Sequence, residues 1–196
     1  MAVRKVAVGC GFVTIDPREP AGGFIVLGAP GSGKSRLAAR IAAASRLDVF
    51  ELDRLYWLPG WERRPKGEFA DLVAVVARAG PTIVVGNYLA WVPPLLWPTA
   101  AHIIWLDLPR HLTFRRLVSR TLRQTLRGEE ILPGCTQSLH AAVRDGLFRT
   151  GWDEPRQLRD KVPTLLRELE IDPLRLERLR TTREVAQWIP GASRAG

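Results

Sequence analysis

Cysteine and methionine are nearly absent from this chain, which has two cysteines and one methionine in 196 residues. Cys10 and Cys135 lie far apart and match no metal-ligand spacing. Neither a disulfide framework nor a zinc site is therefore expected, and both thiols read as reduced, as in a cytoplasmic protein. The three histidines, His102, His111 and His140, share no spacing that would make a site. No apolar run approaches the roughly 18 residues that cross a bilayer, which excludes a helical membrane span and a membrane partner. A basic pair, Arg4-Lys5, precedes a short apolar stretch near the N-terminus. No small-residue cleavage pattern follows it before Asp16-Pro17, so it is not read as a secretory signal.

Acid is scarce beside base: 20 Asp and Glu against 29 Lys and Arg give a formal charge of +9. Such a balance points to an anionic partner, either a polyphosphate ligand or a nucleic acid. Nearly all of the positive charge is arginine, spaced along helices without interleaved aromatics. That pattern reads equally well as a field for a polyphosphate or as solvated helix faces, and makes a nucleic-acid partner the lesser expectation.

With 46% hydrophobic residues the chain can bury one core. Residues 1–22 read as an extension, with an edge strand near Val3 to Val8 as one reading, 23–190 as one domain and 191–196 as a tail. Short apolar runs predict buried strands at 24–27, 82–85 and 102–106, with a further strand at about 48–52 and a last one suggested at 174–179. Helical spacing predicts helices at 34–45, 67–79, 110–127, 139–148 and about 154–169, the last kinked or restarted at Pro163. The breaker-rich Tyr56 to Pro65 segment is expected to be irregular, and prolines 93, 94 and 98 leave room for one helical turn. Thr181 followed by Glu184 predicts a capping box opening a closing helix, Arg183 to Ile189. Strands alternating with helices predict an α/β fold with a parallel sheet covered on both faces.

The segment Gly28-Ala29-Pro30-Gly31-Ser32-Gly33-Lys34-Ser35 matches G-x-x-x-x-G-K-[ST] at every fixed position. Consecutive backbone N–H groups must wrap triphosphate oxygens here, and that path needs residues without a Cβ, which Gly31 and Gly33 supply. The helix opening at Lys34 turns its positive end to the same oxygens. Lys34 can reach the β- and γ-phosphates, and the Ser35 hydroxyl can bind Mg²⁺. The motif directly follows an apolar strand and opens an alanine-rich helix, the context it requires. ATP and Mg²⁺ are the ligands expected.

Asp53 closes the second predicted strand at the edge where open α/β sheets hold ligands, and could take an acceptor's proton or hold a metal-bound water. Asp107, ending Ile103-Ile104-Trp105-Leu106, reads either as a second metal-side acid or as a turn former. Arg116, Arg120 and Arg123 share a helix face and can neutralise transferring phosphoryl oxygens. Asn87 and Tyr88 follow the third strand at the same edge and are candidate substrate contacts. The aromatics Tyr56, Trp57, Trp61, Tyr88, Trp91 and Trp97 read as substrate stacking or as packing.

Taken together, these blocks resemble bacterial adenylate-kinase-like proteins often labelled topology modulation proteins. The likeness rests on Gly28 to Ser35, then Glu51-Leu52-Asp53 with Tyr56-Trp57 and Pro59-Gly60-Trp61. It continues through Gly86-Asn87-Tyr88, Leu96-Trp97-Pro98, Trp105-Leu106-Asp107-Leu108-Pro109-Arg110 and Arg120-Thr121-Leu122, spanning about residues 24–128. It implies a P-loop NTPase fold of the nucleoside-monophosphate-kinase kind, with five parallel strands and an arginine-containing lid. It also implies ATP- and magnesium-dependent phosphotransfer to a poorly defined acceptor. Where that family commonly carries an aspartate before Gly-Asn-Tyr, this chain has Val85, which leaves Asp53 as the main acid near the metal.

The expected activity is phosphoryl transfer from ATP to a nucleotide or other small acceptor. Lys34 and the loop amides hold the β- and γ-phosphates, Asp53 orients acceptor or metal water, and Arg116 or Arg120 neutralises charge. Two alternatives stay open: a catalytically weak nucleotide-binding regulator connected with DNA topology, and a metabolite kinase of the shikimate or gluconate kind.

Overall fold

The computed structural model describes residues 4–8, 11–15, 23–136 and 138–188. Two short strands, β1 (Arg4–Val8) and β2 (Gly11–Ile15), pair antiparallel as a separate two-stranded sheet. A strand near Val3 to Val8 therefore exists, but its partner is β2 and not the edge of the main sheet. Cys10 and the 191–196 tail lie outside the described residues.

The main sheet has five parallel strands: β3 (Phe24–Gly28), β4 (Val49–Glu51), β7 (Ile83–Val85), β8 (His102–Leu106) and β11 (Leu176–Leu179). Their order is β11-β8-β3-β7-β4. The chain thus begins in the centre, steps to one edge, returns beside β3, and crosses to build the other half. The order reverses around β3, so its carboxyl end opens at the point where such sheets form a crevice. The register sets Phe24 of β3 beside both Ile83 and His102.

Alternation along β3 feeds two cores, because successive side chains point to opposite faces. Ile25 and Leu27, with Val84, Ile103 and Trp105, pack under α3 (Lys66–Arg78), α4 (Pro93–Leu96) and α7 (Leu147–Glu168). Val26, with Val85, Ile104 and Leu106, packs under α1 (Lys34–Ser45) and α8 (Thr182–Gln187). Helix α1 earns its place through Leu37, Ala38 and Ile41, a one-turn stripe that is almost wholly buried. Helix α5 (Arg110–Arg127) lies across α7, where Gly151 approaches so closely that a Cβ would stand 2.3 Å from a Leu117 methyl.

Phe69 of α3 is fully buried and touches the rings of Tyr56, Tyr88 and Trp91. Those aromatics are thereby packing groups, as is Trp97, also fully buried. Phe69→Ala is expected to lower stability by about 3–5 kcal/mol, because the cavity adds to the lost transfer energy. Urea unfolding should show a lower midpoint at unchanged slope.

Several sequence expectations need correction. The second strand stops at Glu51, and Leu52–Tyr56 forms a short helix, α2, because the fully buried Leu52 turns inward there. The Tyr56 to Pro65 stretch is not irregular: β5 (Trp57–Leu58) and β6 (Glu62–Arg63) pair around a 3₁₀ turn at Pro59–Trp61. A second hairpin, β9 (Glu130–Leu132) and β10 (Cys135–Thr136), braces it. Gly60 N–H donates to the Gly134 carbonyl at 2.9 Å, the Trp61 indole to Thr136 at 2.9 Å, and the buried Cys135 thiol to Leu58 at 3.2 Å. Each hairpin is too short to hold alone, and the contact between them is long-range.

Helix α7 does not restart at Pro163; it begins seven residues before the expected start and runs through Pro155 and Pro163. Leu158, Val162 and Leu166 tie it to the core on one face, while Pro163 sits on the exposed face, where a carbonyl without its N–H partner can meet water. The last strand starts at Leu176, after a 3₁₀ turn at Pro173–Arg175 capped by Asp172. Thr181 caps α8 as expected, accepting from Glu184 N–H at 3.1 Å, but the Glu184 carboxylate accepts from Arg180 N–H.

Candidate functional site

The G-x-x-x-x-G-K-[ST] segment lies at the carboxyl end of β3, in the crevice that the strand order creates. Gly31 has φ of 81°, and a Cβ there would stand 2.3 Å from the Thr113 carbonyl oxygen of α5. Only glycine fits at both counts. Ser32 N–H closes the turn onto the Ala29 carbonyl at 3.0 Å. The amides of Gly31 and Gly33 find no acceptor among the described residues, and α1 adds the free N–H groups of its first turn. The Ser32 hydroxyl is buried at 2% exposure with no hydrogen-bond partner among the described residues. A buried polar atom without a partner is uncommon, and here it sits inside a loop of donors. Lys34 Nζ donates to the Gly28 and Ala29 carbonyls at 2.5 and 3.1 Å, folding its ammonium back over the cradle.

Asn87, just past β7, clamps this end of β3. Its side-chain oxygen accepts from Gly28 N–H at 3.0 Å, and its amide donates to the Gly28 carbonyl at 3.0 Å. The same amide donates to Glu154 of α7 at 2.7 Å. Asp53, in the first turn of α2, is exposed and accepts from the Tyr88 hydroxyl at 2.7 Å. Tyr88 holds a φ of 31°, a sparsely populated conformation that this edge of the sheet maintains.

A central-strand glycine loop, a lysine at the helix start and a crevice at the switch point together decide the fold. This is an α/β P-loop NTPase fold. No protein-family model matches the chain, and no curated protein matches it in sequence. Among solved structures it is similar to a gluconokinase from Sinorhizobium meliloti 1021, with 17% identity and a TM-score of 0.46, covering 86% of this chain and 87% of that one. It is also similar to a shikimate kinase from Bacteroides thetaiotaomicron, with 18% identity and a TM-score of 0.40 over 74% and 82% of the two chains. A sugar kinase from Janibacter sp. HTCC2649 shares 16% identity at a TM-score of 0.42, over 83% and 85%. At these identities and scores the likenesses say nothing of a substrate, and the site has to speak for itself.

Electrostatics couples the P-loop to its surroundings. Burial pulls the Lys34 ammonium below its ordinary value, while Glu154, Asp53 and Glu51 oppose that pull and Arg120 adds to it. Burial likewise pushes the Glu154 carboxyl up; Lys34 and the Asn87 bond hold it down, and Asp53 pushes it further up. The Tyr88 hydroxyl is driven far up, first by burial and then by Asp53, so it remains a donor. The Arg120 guanidinium keeps solvent contact yet is hemmed by the cleft, whose desolvation lowers it while Asp53 raises it. Lys34, Asp53, Arg120 and Glu154 thus form one interacting set.

Arg116 and Arg120 are both exposed and make no hydrogen bond or ion pair among the described residues; desolvation in the cleft and the charge of Asp53 set Arg120 apart. Asp107 turns away from any metal role, because its buried carboxylate accepts from Arg159 at 2.8 Å and from Arg178 at 2.6 and 3.0 Å. Arg144, at the end of α6 (Leu139–Arg144), pairs with Asp145 at 2.8 Å. Arg40, Arg64 and Arg175 also commit their guanidinium groups to backbone carbonyls. Part of the basic balance therefore holds the fold together. No described helix is long and apolar enough to cross a membrane.

Glu154 is the site residue that the sequence did not disclose. It follows Asp153 and precedes Pro155, and reads as an ordinary acid near a helix start. Only the packing of α7 against α5 and the sheet carries it to Asn87.

Proposed function

We propose that this protein is a P-loop kinase that transfers the γ-phosphoryl group of ATP, with Mg²⁺, to a small acceptor. The observation that carries the proposal is the cradle at the carboxyl end of β3, where Lys34 folds over the loop carbonyls, Asn87 clamps Gly28 and the neighbouring Tyr88 holds Asp53. The residues present fit the nucleotide: unpaired loop amides, a partnerless Ser32 hydroxyl and the Lys34 ammonium form a cradle for phosphate oxygens. They also fit the ion in the manner of P-loop enzymes. The exposed Ser35 hydroxyl makes no hydrogen bond among the described residues, so its oxygen is open to a cation. Mg²⁺ bound through Ser35 and the phosphates would supply charge neutralisation at the transferring group.

The remaining chemistry belongs to side chains. Lys34 leaves the two carbonyls it now holds and pairs with β- and γ-phosphate oxygens. Asp53, fixed by Tyr88, accepts the proton of the attacking acceptor hydroxyl as its oxygen bonds to the γ-phosphorus and the bond to the β–γ bridging oxygen breaks. Arg120, next to Asp53, steadies the charge on the transferring oxygens, a role its place in the cleft favours over Arg116. Asn87 and Tyr88 shape the acceptor side.

The test is release of ADP from Mg·ATP in the presence of nucleoside monophosphates, small sugar acids and other hydroxyl compounds. At least one acceptor is expected to raise turnover well above the rate with water alone. ATP binding without transfer to any acceptor would make the protein a nucleotide-binding regulator instead, and absence of ATP binding would remove the P-loop reading itself.

A further inference from the structure

We propose that Glu154 makes the phosphate cradle selective for the cation complex of its nucleotide and disfavours the metal-free form. The inference rests on the nucleotide-binding reading above. Glu154 is partly buried, lies within electrostatic range of both Lys34 and Asp53, and is held 2.7 Å from the Asn87 amide that also grips Gly28. A carboxylate beside the lysine of a phosphate cradle faces the negative oxygens that the cradle exists to bind. It cannot swing away. Asn87 fixes its oxygen, Gly151 seats the helix against Leu117, and Leu158 and Val162 anchor the next turns in the core.

Charge counting at the cleft mouth sharpens the point. Lys34 and Arg120 share the cleft with the carboxylates of Asp53, Glu154 and Glu51, so negative charge already stands there before any phosphate arrives. A bare triphosphate would bring several more negative charges into a desolvated cleft that holds carboxylates, and like charges there repel strongly. A divalent cation carried with the phosphates reverses the sign of the encounter, because Glu154 then faces a positive centre directly or through its water. Glu154 thus penalises one form of the nucleotide and favours the other.

The experiment compares ATP affinity by calorimetry at pH 8 and low salt, in EDTA and in excess MgCl₂, for wild type and two neutral variants. Glu154→Gln still accepts from Asn87; Glu154→Met cannot, so agreement between them isolates charge from hydrogen bonding. Glu154→Asp keeps the charge. Both neutral variants are expected to narrow the ratio of magnesium-bound to metal-free affinity by about tenfold, and Glu154→Asp to stay near the wild-type ratio. A ratio unchanged in a folded neutral variant, with both affinities falling together, overturns the inference and leaves the nucleotide reading standing. Wild type that binds ATP in neither condition overturns both.

Discussion

Lys34→Ala is expected to weaken ATP binding about 10²- to 10³-fold, equivalent to about 2.7–4.1 kcal/mol. Lys34 is the one basic side chain of the loop, and it works in a cleft where its ammonium is desolvated. Charge-assisted hydrogen bonds contribute about 1.5–3 kcal/mol each, and this group makes two to phosphate oxygens when it leaves Gly28 and Ala29. The effect reads out simply as ligand-dependent stability. At a concentration about 100 times the wild-type Kd, ATP stabilises wild type by about 2.7 kcal/mol, and a variant binding 100-fold more weakly by about 0.4 kcal/mol. For a chain of this size that is a thermal shift of about 5–11 °C against about 1–2 °C. The unliganded variant should unfold close to wild type, because the buried Gly28 carbonyl still accepts from Asn87, the Ala29 carbonyl still accepts from Ser32 N–H, and an ammonium is no longer desolvated. An equal thermal shift in both proteins would remove Lys34 from the phosphate site.

Asp53→Asn is expected to cut kcat about 10²- to 10⁴-fold, the range for loss of a general base, with ATP affinity changing little. The substitution is nearly isosteric, and the asparagine oxygen can still accept from the Tyr88 hydroxyl, so the α2–β7 edge keeps its geometry. What disappears is the charge that takes the acceptor proton and that faces Arg120. A fall in kcat with KM for ATP near wild type supports the assignment; equal turnover would move proton acceptance to another group. Because Glu154 acts on the nucleotide's cation form and Asp53 on the acceptor, the two substitutions should separate into binding and turnover effects.

Much of this was open to a reader of the chain alone. The glycine-lysine motif after an apolar strand located the phosphate cradle, since a turn that needs Cβ-free residues must show its glycines. The three central strands were equally legible, because a strand buried on both faces writes a continuous apolar run, whereas the less buried edge strands β4 and β11 were placed with looser bounds. Helix α5 matched its expected bounds, its period sustained over 18 residues. The two small hairpins were not legible. Two-residue strands carry no period, and their stability comes from each other across some 75 residues.

Local pattern decided which segments are strand and helix and where a phosphate would be wrapped; the tertiary structure decided which charges meet there. Asp107 looked like a metal-side acid and is held instead by Arg159 and Arg178, because α7 and β11 bring those guanidinium groups to it. Arg116 and Arg120 share one helix face, and it is on Arg120 that cleft desolvation and the charge of Asp53 act in opposition. Glu154 joins the site from 120 residues beyond Lys34 through the packing of α7 on α5. The reason is physical: backbone preferences are properties of neighbours in sequence, whereas Coulomb energy and desolvation depend on distances in space that only the packed chain sets.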